Sequence, residues 1–315
     1  MEPWKEAEIA YEQNMAVSYD FHYYTSPVSR AHLKQFLQLV YRYAVKGQIV
    51  LDVGGGTGPV AQRLIEQGYP RVVTVDISLA MLREAKKKLP ALTAIVCDGE
   101  HIPFKADSVW TVICSSVLHH MPTPDGVLKD IKRVLAPYGM LIAQEPSKDH
   151  VMSLPTTSGE VSGLAMGLMH YLYRLEQFKP VSEPPIHEYH RAFTRDEIVS
   201  LFRNQFPTSI LYFRSRFAFS CLFTKLRSPM VSQAVLSMDR LLSRNEGAVF
   251  HFVCGKEGGH RNLLKTYFRV LEQLKASPDQ HLSPLFILAL LPLIALGRGY
   301  ELYQRIRSRL GRVVY

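Results

Sequence analysis

The sequence predicts an α/β fold built on a doubly wound, mostly parallel sheet of seven strands. Between residues 49 and 144, short apolar runs alternate with amphipathic stretches, glycine and proline fall at the joints, and a glycine-rich turn closes the first run. Short buried strands separated by helices imply β-α-β units with right-handed crossovers, so helices cover both faces of the sheet.

Ahead of the first strand, Leu33, Phe36, Leu37, Val40, Tyr41 and Ala44 recur at helical spacing over residues 31–45. Strands are expected at Ile49–Val53, Arg71–Asp76, Thr93–Cys97, Val109–Ser115 and Met140–Gln144. Helices are expected between them at Val60–Gln67, Ser78–Leu89 and Gly126–Leu135, with Pro90 and Pro137 standing where the last two should stop. After Glu145 the alternation breaks for about 45 residues, then resumes with a capping box, Thr194 to Glu197, and two further strands, Ser209–Phe213 and Val249–Cys254. That break and a second insertion at Phe217–Gly247, rich in Phe, Leu and Met, lie where a cover over a substrate is expected.

Composition narrows the class. The 315 residues are 47% hydrophobic and 21% charged, which excludes a disordered, collagen-like or disulfide-stapled chain. The net charge of +9 is unevenly spread: residues 1–150 carry 16 basic and 16 acidic side chains, 151–260 carry 12 and 9, and 261–315 carry 9 and 3. A nucleic-acid groove needs a basic stripe on the main domain, so no nucleic-acid partner is expected. Cys97, Cys114, Cys221 and Cys254 lie in apolar runs without a C-x-x-C pair, as buried thiols of a reducing cytosol do. The N-terminal MEPWKEAEIAYEQN is acidic and has no apolar signal core, so a cytoplasmic location is expected.

The chemistry begins at Leu51-Asp52-Val53-Gly54-Gly55-Gly56-Thr57-Gly58-Pro59. Glycines at 54, 56 and 58 permit a tight strand-to-helix turn whose backbone can touch a ligand at the helix N-terminus. The dinucleotide fingerprint G-x-G-x-x-G needs glycine at 59, and Pro59 there argues against nicotinamide or flavin. Asp76 ends the second strand, placed to accept both hydroxyls of a ribose. Asp98 ends the third, where a carboxylate and the following backbone N–H can read the edge of an adenine.

These motifs resemble those of the class I S-adenosylmethionine-dependent methyltransferases, most nearly the small-molecule branch of ubiquinone and menaquinone biosynthesis. The resemblance covers about Tyr11–Pro146 and rests on D-x-G-x-G-x-G at Asp52–Gly58, D-x-S-x-x-M-L at Asp76–Leu82, D-x-E-x-x-P-F at Asp98–Phe104, S-x-V-L-H-H-M at Ser115–Met121, V-L-x-P-x-G at Val134–Gly139, and Glu145-Pro146. It implies a Rossmann-like methyltransferase sheet and S-adenosyl-L-methionine as cofactor. It implies that Gly54 and Gly56 face the methionine part, that Asp52 holds the turn and approaches the ammonium, and that Asp76 takes the ribose. Ile77 and Met81 would then sandwich the adenine, with Asp98 and Gly99 at its edge. Ser115 would offer its carbonyl to the ammonium with His120 close by, and Tyr11 and Tyr19 would be lid tyrosines. No metal is implied.

On this reading residues 1–48 form an N-terminal helical lid and 49–147 the cofactor-binding core. Residues 148–260 supply the cover insertions with the last helix and strands, and 261–315 form a basic, apolar C-terminal helical tail.

Methyl transfer is an in-line displacement at an activated sulfonium carbon, so the protein must chiefly align the reactants and exclude water. A base is needed only where the acceptor atom carries a proton; for a phenol of pKa about 10, a nearby histidine or carboxylate serves. Candidates are His119, His120, Glu145, His187 and His190, with His119 preferred because the end of the fourth strand faces the substrate side of the sulfonium. His187 and His190 have metal-like spacing but no third ligand in sequence reach, so they are taken as loop residues packing on aromatics.

The acceptor is constrained by what is missing. The chain has Ser115-Ser116-Val117-Leu118 where DNA amino-methyltransferases carry N-P-P-Y or D-P-P-Y, and Cys114 lies inside a strand rather than at a nucleophile's position. A small, hydrophobic or lipid-like acceptor is expected; the alternative is a catalytically silent cofactor-binding scaffold. The run Leu282–Leu296, broken by Ser283, Pro284 and Pro292, would reach only about 22 Å as a helix against the roughly 30 Å of a bilayer. Followed by Arg298, Arg305, Arg309 and Arg312, it suits the headgroup layer of an anionic membrane, so peripheral contact through residues 281–315 is expected.

Overall fold

A computed structural model of the chain describes residues 2–147, 187–206, 208–214, 228–242 and 249–256. They lie within one compact unit, Met1–Asn262. Most of the first insertion, residues 148–186, with part of the second, Cys221 and the tail 261–315, falls outside the described residues.

Seven strands, β1 Val50–Val53, β2 Val72–Asp76, β3 Thr93–Val96, β4 Val109–Ser115, β5 Leu135–Pro146, β6 Thr208–Arg214 and β7 Val249–Gly255, form one sheet in the order β3-β2-β1-β4-β5-β7-β6. The first five run parallel, and β7 is antiparallel to both β5 and β6. The order reverses between β1 and β4, and a ligand crevice opens outside the carboxyl ends of strands at such a point. All four residues of β1 are buried, as a continuously apolar strand covered on both faces must be. Strand β5 starts five residues ahead of the expected Met140: Leu135 pairs with Val109, and the register then shifts before Met140 meets Thr111.

The helices are α1 Pro3–Met15, α2 Tyr19–Tyr23, α3 Pro27–Tyr43, α4 Pro59–Glu66, α5 Leu79–Lys88, α6 Asp125–Val134, α7 Arg195–Gln205 and α8 Pro229–Leu242. Helix α3 begins at Pro27 rather than residue 31, because Ser26 caps it by accepting from the Ser29 N–H at 2.9 Å and Pro27 presets the first turn. The capping box of α7 forms as read, between Thr194 and Glu197. Helix α3 touches β5, α4 and α8, while α6 touches α7. The stretch 228–242, expected as cover, is thus a helix packed on α3. Phe202 of α7 stacks on Phe252 of β7 with centroids 4.0 Å apart, joining that helix to the sheet.

Cys114 and Cys254 are buried free thiols; Cys97 is half-buried. Among the described residues no helix is long and apolar enough to cross a membrane.

Candidate active site

The crevice at the switch point is a cleft of about 910 Å³ including its open mouth. Its floor is the turn after β1. Gly54 and Gly56 have φ of +64° and +54°, left-handed values that favour glycine; a Cβ on Gly54 would stand 2.4 Å from Val117, whereas one on Gly56 would meet nothing within 4 Å. Backbone is therefore laid open to the cleft. Pro59 opens α4 directly behind Gly58.

Asp76 is held by two backbone donors, Gly56 N–H to Oδ2 and Ser78 N–H to Oδ1, each at 2.8 Å. Burial raises its carboxyl above the usual range, opposed by those two bonds. Asp52 is buried with Oδ2 lacking a hydrogen-bond partner, and burial, then Asp76 beside it, push it to about 8. An orphaned buried acid facing a cleft is what a cationic ligand would satisfy. Among the described residues Glu8, Glu12, Asp52, Asp76 and Asp98 all line this cleft and no lysine or arginine does. That donor set fits a ligand carrying a sulfonium and an ammonium.

Of the residues singled out from sequence, Asp52, Gly54, Gly56, Asp76, Ile77, Asp98, Gly99, Ser115, His120 and Tyr19 line the cleft, and Met81, His119, Tyr11, Glu145, His187 and His190 do not. Met81, expected against the adenine, is fully buried with Tyr11 and Met15 of α1, because α1 packs on α5 and claims that side chain for its own core. His119, the preferred base, stands off the cleft wall: its Nδ1 is 2.8 Å from Glu145 Oε2, and His120 occupies the lining position.

Glu145 organises this corner. It is fully buried, and its Oε1 accepts from the Val117 and Leu118 N–H groups at 3.0 and 2.8 Å, fixing the 3-10 turn Leu118–His120 after β4. Burial raises it to about 7 against those bonds. Ser116, at φ 59°, turns the chain at the strand end, and Ser115 Oγ accepts from Gln144 at 2.7 Å.

An N-terminal helical segment over the site was expected from sequence, but not the side chains that α1 places in the cleft. Trp4, Glu8 and Glu12 recur every fourth residue and line the cleft, so the signal was a helical stripe carrying carboxylates among apolar residues. Lys5 bridges Asp98 at 2.7 Å and Glu100 at 2.6 Å, so Asp98 is shared between the cleft and α1. Asp20 of α2 accepts from Thr57 of the glycine turn at 2.5 Å and pairs with Lys88 of α5. Tyr19 and Tyr24 line the cleft; Tyr11 packs instead against His187, centroids 6.0 Å apart.

Three histidines, His119, His187 and His190, gather beside His120. His190 Nε2 lies 3.4 Å from His120 Nε2, and the His119 and His190 rings are 4.7 Å apart. Glu8 stands between two rings, Oε1 at 2.8 Å from His120 Nδ1 and Oε2 at 2.5 Å from His187 Nε2. Burial pushes the Glu8 carboxyl up, but His120 and His187 outweigh it and hold it near 2. The sequence argument set His187 and His190 aside for want of a third ligand; folding supplies one to each, from residues 67 or more positions away.

Fold and site together define a nucleotide-type cleft at the switch point of a methyltransferase-like sheet. Residues 51–143 match the family model described as a methyltransferase domain. A demethylmenaquinone methyltransferase of Renibacterium salmoninarum is 36% identical over 102 residues, 32% of this chain and 43% of that protein. A malonyl-[acyl-carrier protein] O-methyltransferase of Geobacter sulfurreducens is 30% identical over 130 residues, 40% of this chain and 47% of that protein. The chain thus spans less than half the length of these curated relatives. Among solved structures, an S-adenosylmethionine-dependent methyltransferase of Thermotoga maritima has a TM-score of 0.52 at 17% identity, covering 79% of this chain and 99% of that one, a likeness of fold. The chain resembles the class I S-adenosylmethionine-dependent methyltransferases, with ubiquinone and menaquinone biosynthesis enzymes among its relatives. S-adenosylmethionine is the cofactor this domain takes.

Proposed function

We propose that the chain is an S-adenosylmethionine-dependent methyltransferase acting on a small, hydrophobic or lipid-like acceptor. The observation that carries this is the pairing of an orphaned buried Asp52 with a backbone-held Asp76 in a cleft lined by carboxylates and bordered by histidines. The cofactor supplies the methyl group. The chain's residues hold it: Asp76 for the ribose, Asp52 for the ammonium, Ile77 beside the adenine, Asp98 and Gly99 at its edge. The α1–α2 lid excludes water, which otherwise competes for the sulfonium. His119 takes the acceptor's proton where there is one, since Glu145 on Nδ1 fixes the ring and leaves Nε2 as the accepting atom.

The relatives named for quinone precursors and for malonyl-[acyl-carrier protein] support an acceptor outside the nucleic acids. Transfer of labelled methyl from the cofactor to a small-molecule and lipid extract tests the activity. Tight cofactor binding without transfer to any fraction would leave a silent scaffold. We place the enzyme in the cytoplasm, with residues 281–315 resting on an anionic membrane face. Flotation of the full chain with anionic liposomes, compared with a 1–275 truncation, tests that; equal recovery of both sinks it.

A further inference from the structure

We propose that Glu8, His120 and His187 bind a divalent first-row transition-metal ion at the acceptor side of the cofactor cleft. The inference rests on the methyltransferase reading for its role, though not for its geometry. The three side chains come from α1, from the turn after β4 and from the segment that re-enters at residue 187, and their ligand atoms all lie within 4.8 Å of one another. One carboxylate with two imidazoles is a donor set that binds zinc and iron, leaving coordination positions open.

The distances have the scale of a coordination sphere. Two ligands at right angles on an ion with bonds of about 2.1 Å are separated by roughly 3.0 Å. Glu8 Oε1 and His120 Nδ1 are 2.8 Å apart, and Glu8 Oε2 and His187 Nε2 are 2.5 Å apart, so one carboxylate holds both imidazoles close enough to share an ion with it. Glu8 is 4% exposed, and among the described residues its ion-pairing partners are the two imidazoles, with no lysine or arginine.

Glu8 and His120 both line the cleft, so the open positions of the ion border the place where an acceptor would stand. The class of acceptor follows: one that presents an oxygen ligand at or beside the methylated atom, such as a phenol or enol. Coordination lowers the pKa of that oxygen. Its proton passes to water, the oxygen's electron pair forms the new bond to the methyl carbon, and the carbon–sulfur bond breaks with its pair leaving on sulfur as a neutral thioether. The ion would also tie α1 to the re-entering segment, two parts that already meet through Glu8 and through Tyr11 against His187 and His190.

A competing trio tests the assignment. His119, His120 and His190 also have ligand atoms within 4.8 Å of one another. Full-length protein stripped with a chelator is titrated with Co²⁺, followed by visible d–d absorption, and with Zn²⁺ by calorimetry, while cofactor affinity is measured separately. One equivalent should bind. His187→Asn and Glu8→Gln should weaken binding by more than the ~10–100-fold typical of losing an outer-sphere partner, and His190→Asn should lie within that range. His187 is outside the cleft lining, so His187→Asn should keep its cofactor affinity. Absence of a saturable Co²⁺ band in the wild type overturns the proposal, as does loss of binding in His190→Asn with retention in His187→Asn. Should His187→Asn lose cofactor affinity through misfolding, the wild-type stoichiometry and the isosteric Glu8→Gln still decide. Methyl transfer without metal binding would sink the ion and leave the enzyme; metal binding without cofactor binding would do the reverse.

Discussion

Asp52 and Asp76 are both buried in one cleft, and their surroundings give them opposite tasks. Backbone N–H groups hold Asp76 on both oxygens, so it is oriented before any ligand arrives. Substituting Asp76→Ala removes charge-assisted bonds worth ~1.5–3 kcal/mol each, and calorimetry should show cofactor affinity falling at least ~10-fold. Unchanged affinity would mean that the ribose lies elsewhere. Asp52 has no such donors on Oδ2 and sits near 8 because of burial and Asp76. Its raised pKa means that it is mostly protonated at pH 6, and a cationic ammonium binds best to its ionised form. Cofactor affinity should therefore rise with pH between 6 and 7.5, by up to ~10-fold per unit, and Asp52→Asn should flatten that slope. A wild-type profile already flat would remove Asp52 from the ammonium site.

At the scale of elements, two junctions position the site. One is the turn after β4, whose three residues Leu118–His120 depend on a residue of the neighbouring strand β5, Glu145. Glu145→Ala would strand two buried N–H groups and the His119 ring, and chemical denaturation should show a loss of about 3 kcal/mol. A loss below 1 kcal/mol would mean that the turn finds other partners. The other junction is the lid: Lys5 joins α1 to Asp98 and Glu100, and Asp20 joins α2 to the glycine turn. Both ties reach the cofactor motifs themselves, so lid position and cofactor geometry are linked through shared carboxylates.

For the whole molecule, folding places ionisable groups between the sheet and its helices. His32 of α3 stacks on His251 of β7 with centroids 6.2 Å apart, and burial lowers it to about 4 against a raising bond from Gln144. A histidine whose folded pKa is depressed takes up its proton more readily when unfolded. Its contribution is therefore intact above about 6.5 and is lost as pH falls towards 4, by something on the order of 2 kcal/mol given its partial exposure. Melting temperature should decline over that window, and His32→Gln should blunt the decline. Equal slopes for the two proteins would assign acid sensitivity to other groups.

What the sequence determined by itself was the parallel core and its cofactor motifs. Strand, turn and helix there are consecutive in the chain: Asp52–Gly58, Asp76–Leu82 and Asp98–Phe104 each place a functional group within a few residues of a strand end, so periodicity and glycine spacing suffice. Only the tertiary structure decided what stands beside those motifs. Met81 reads like an adenine neighbour until α1 covers it, and His187 lacks ligand partners until Glu8, 179 residues earlier, lies against it. Local sequence encodes local geometry, whereas a site assembled from a lid, a turn and a re-entering segment exists only once the sheet brings their ends together.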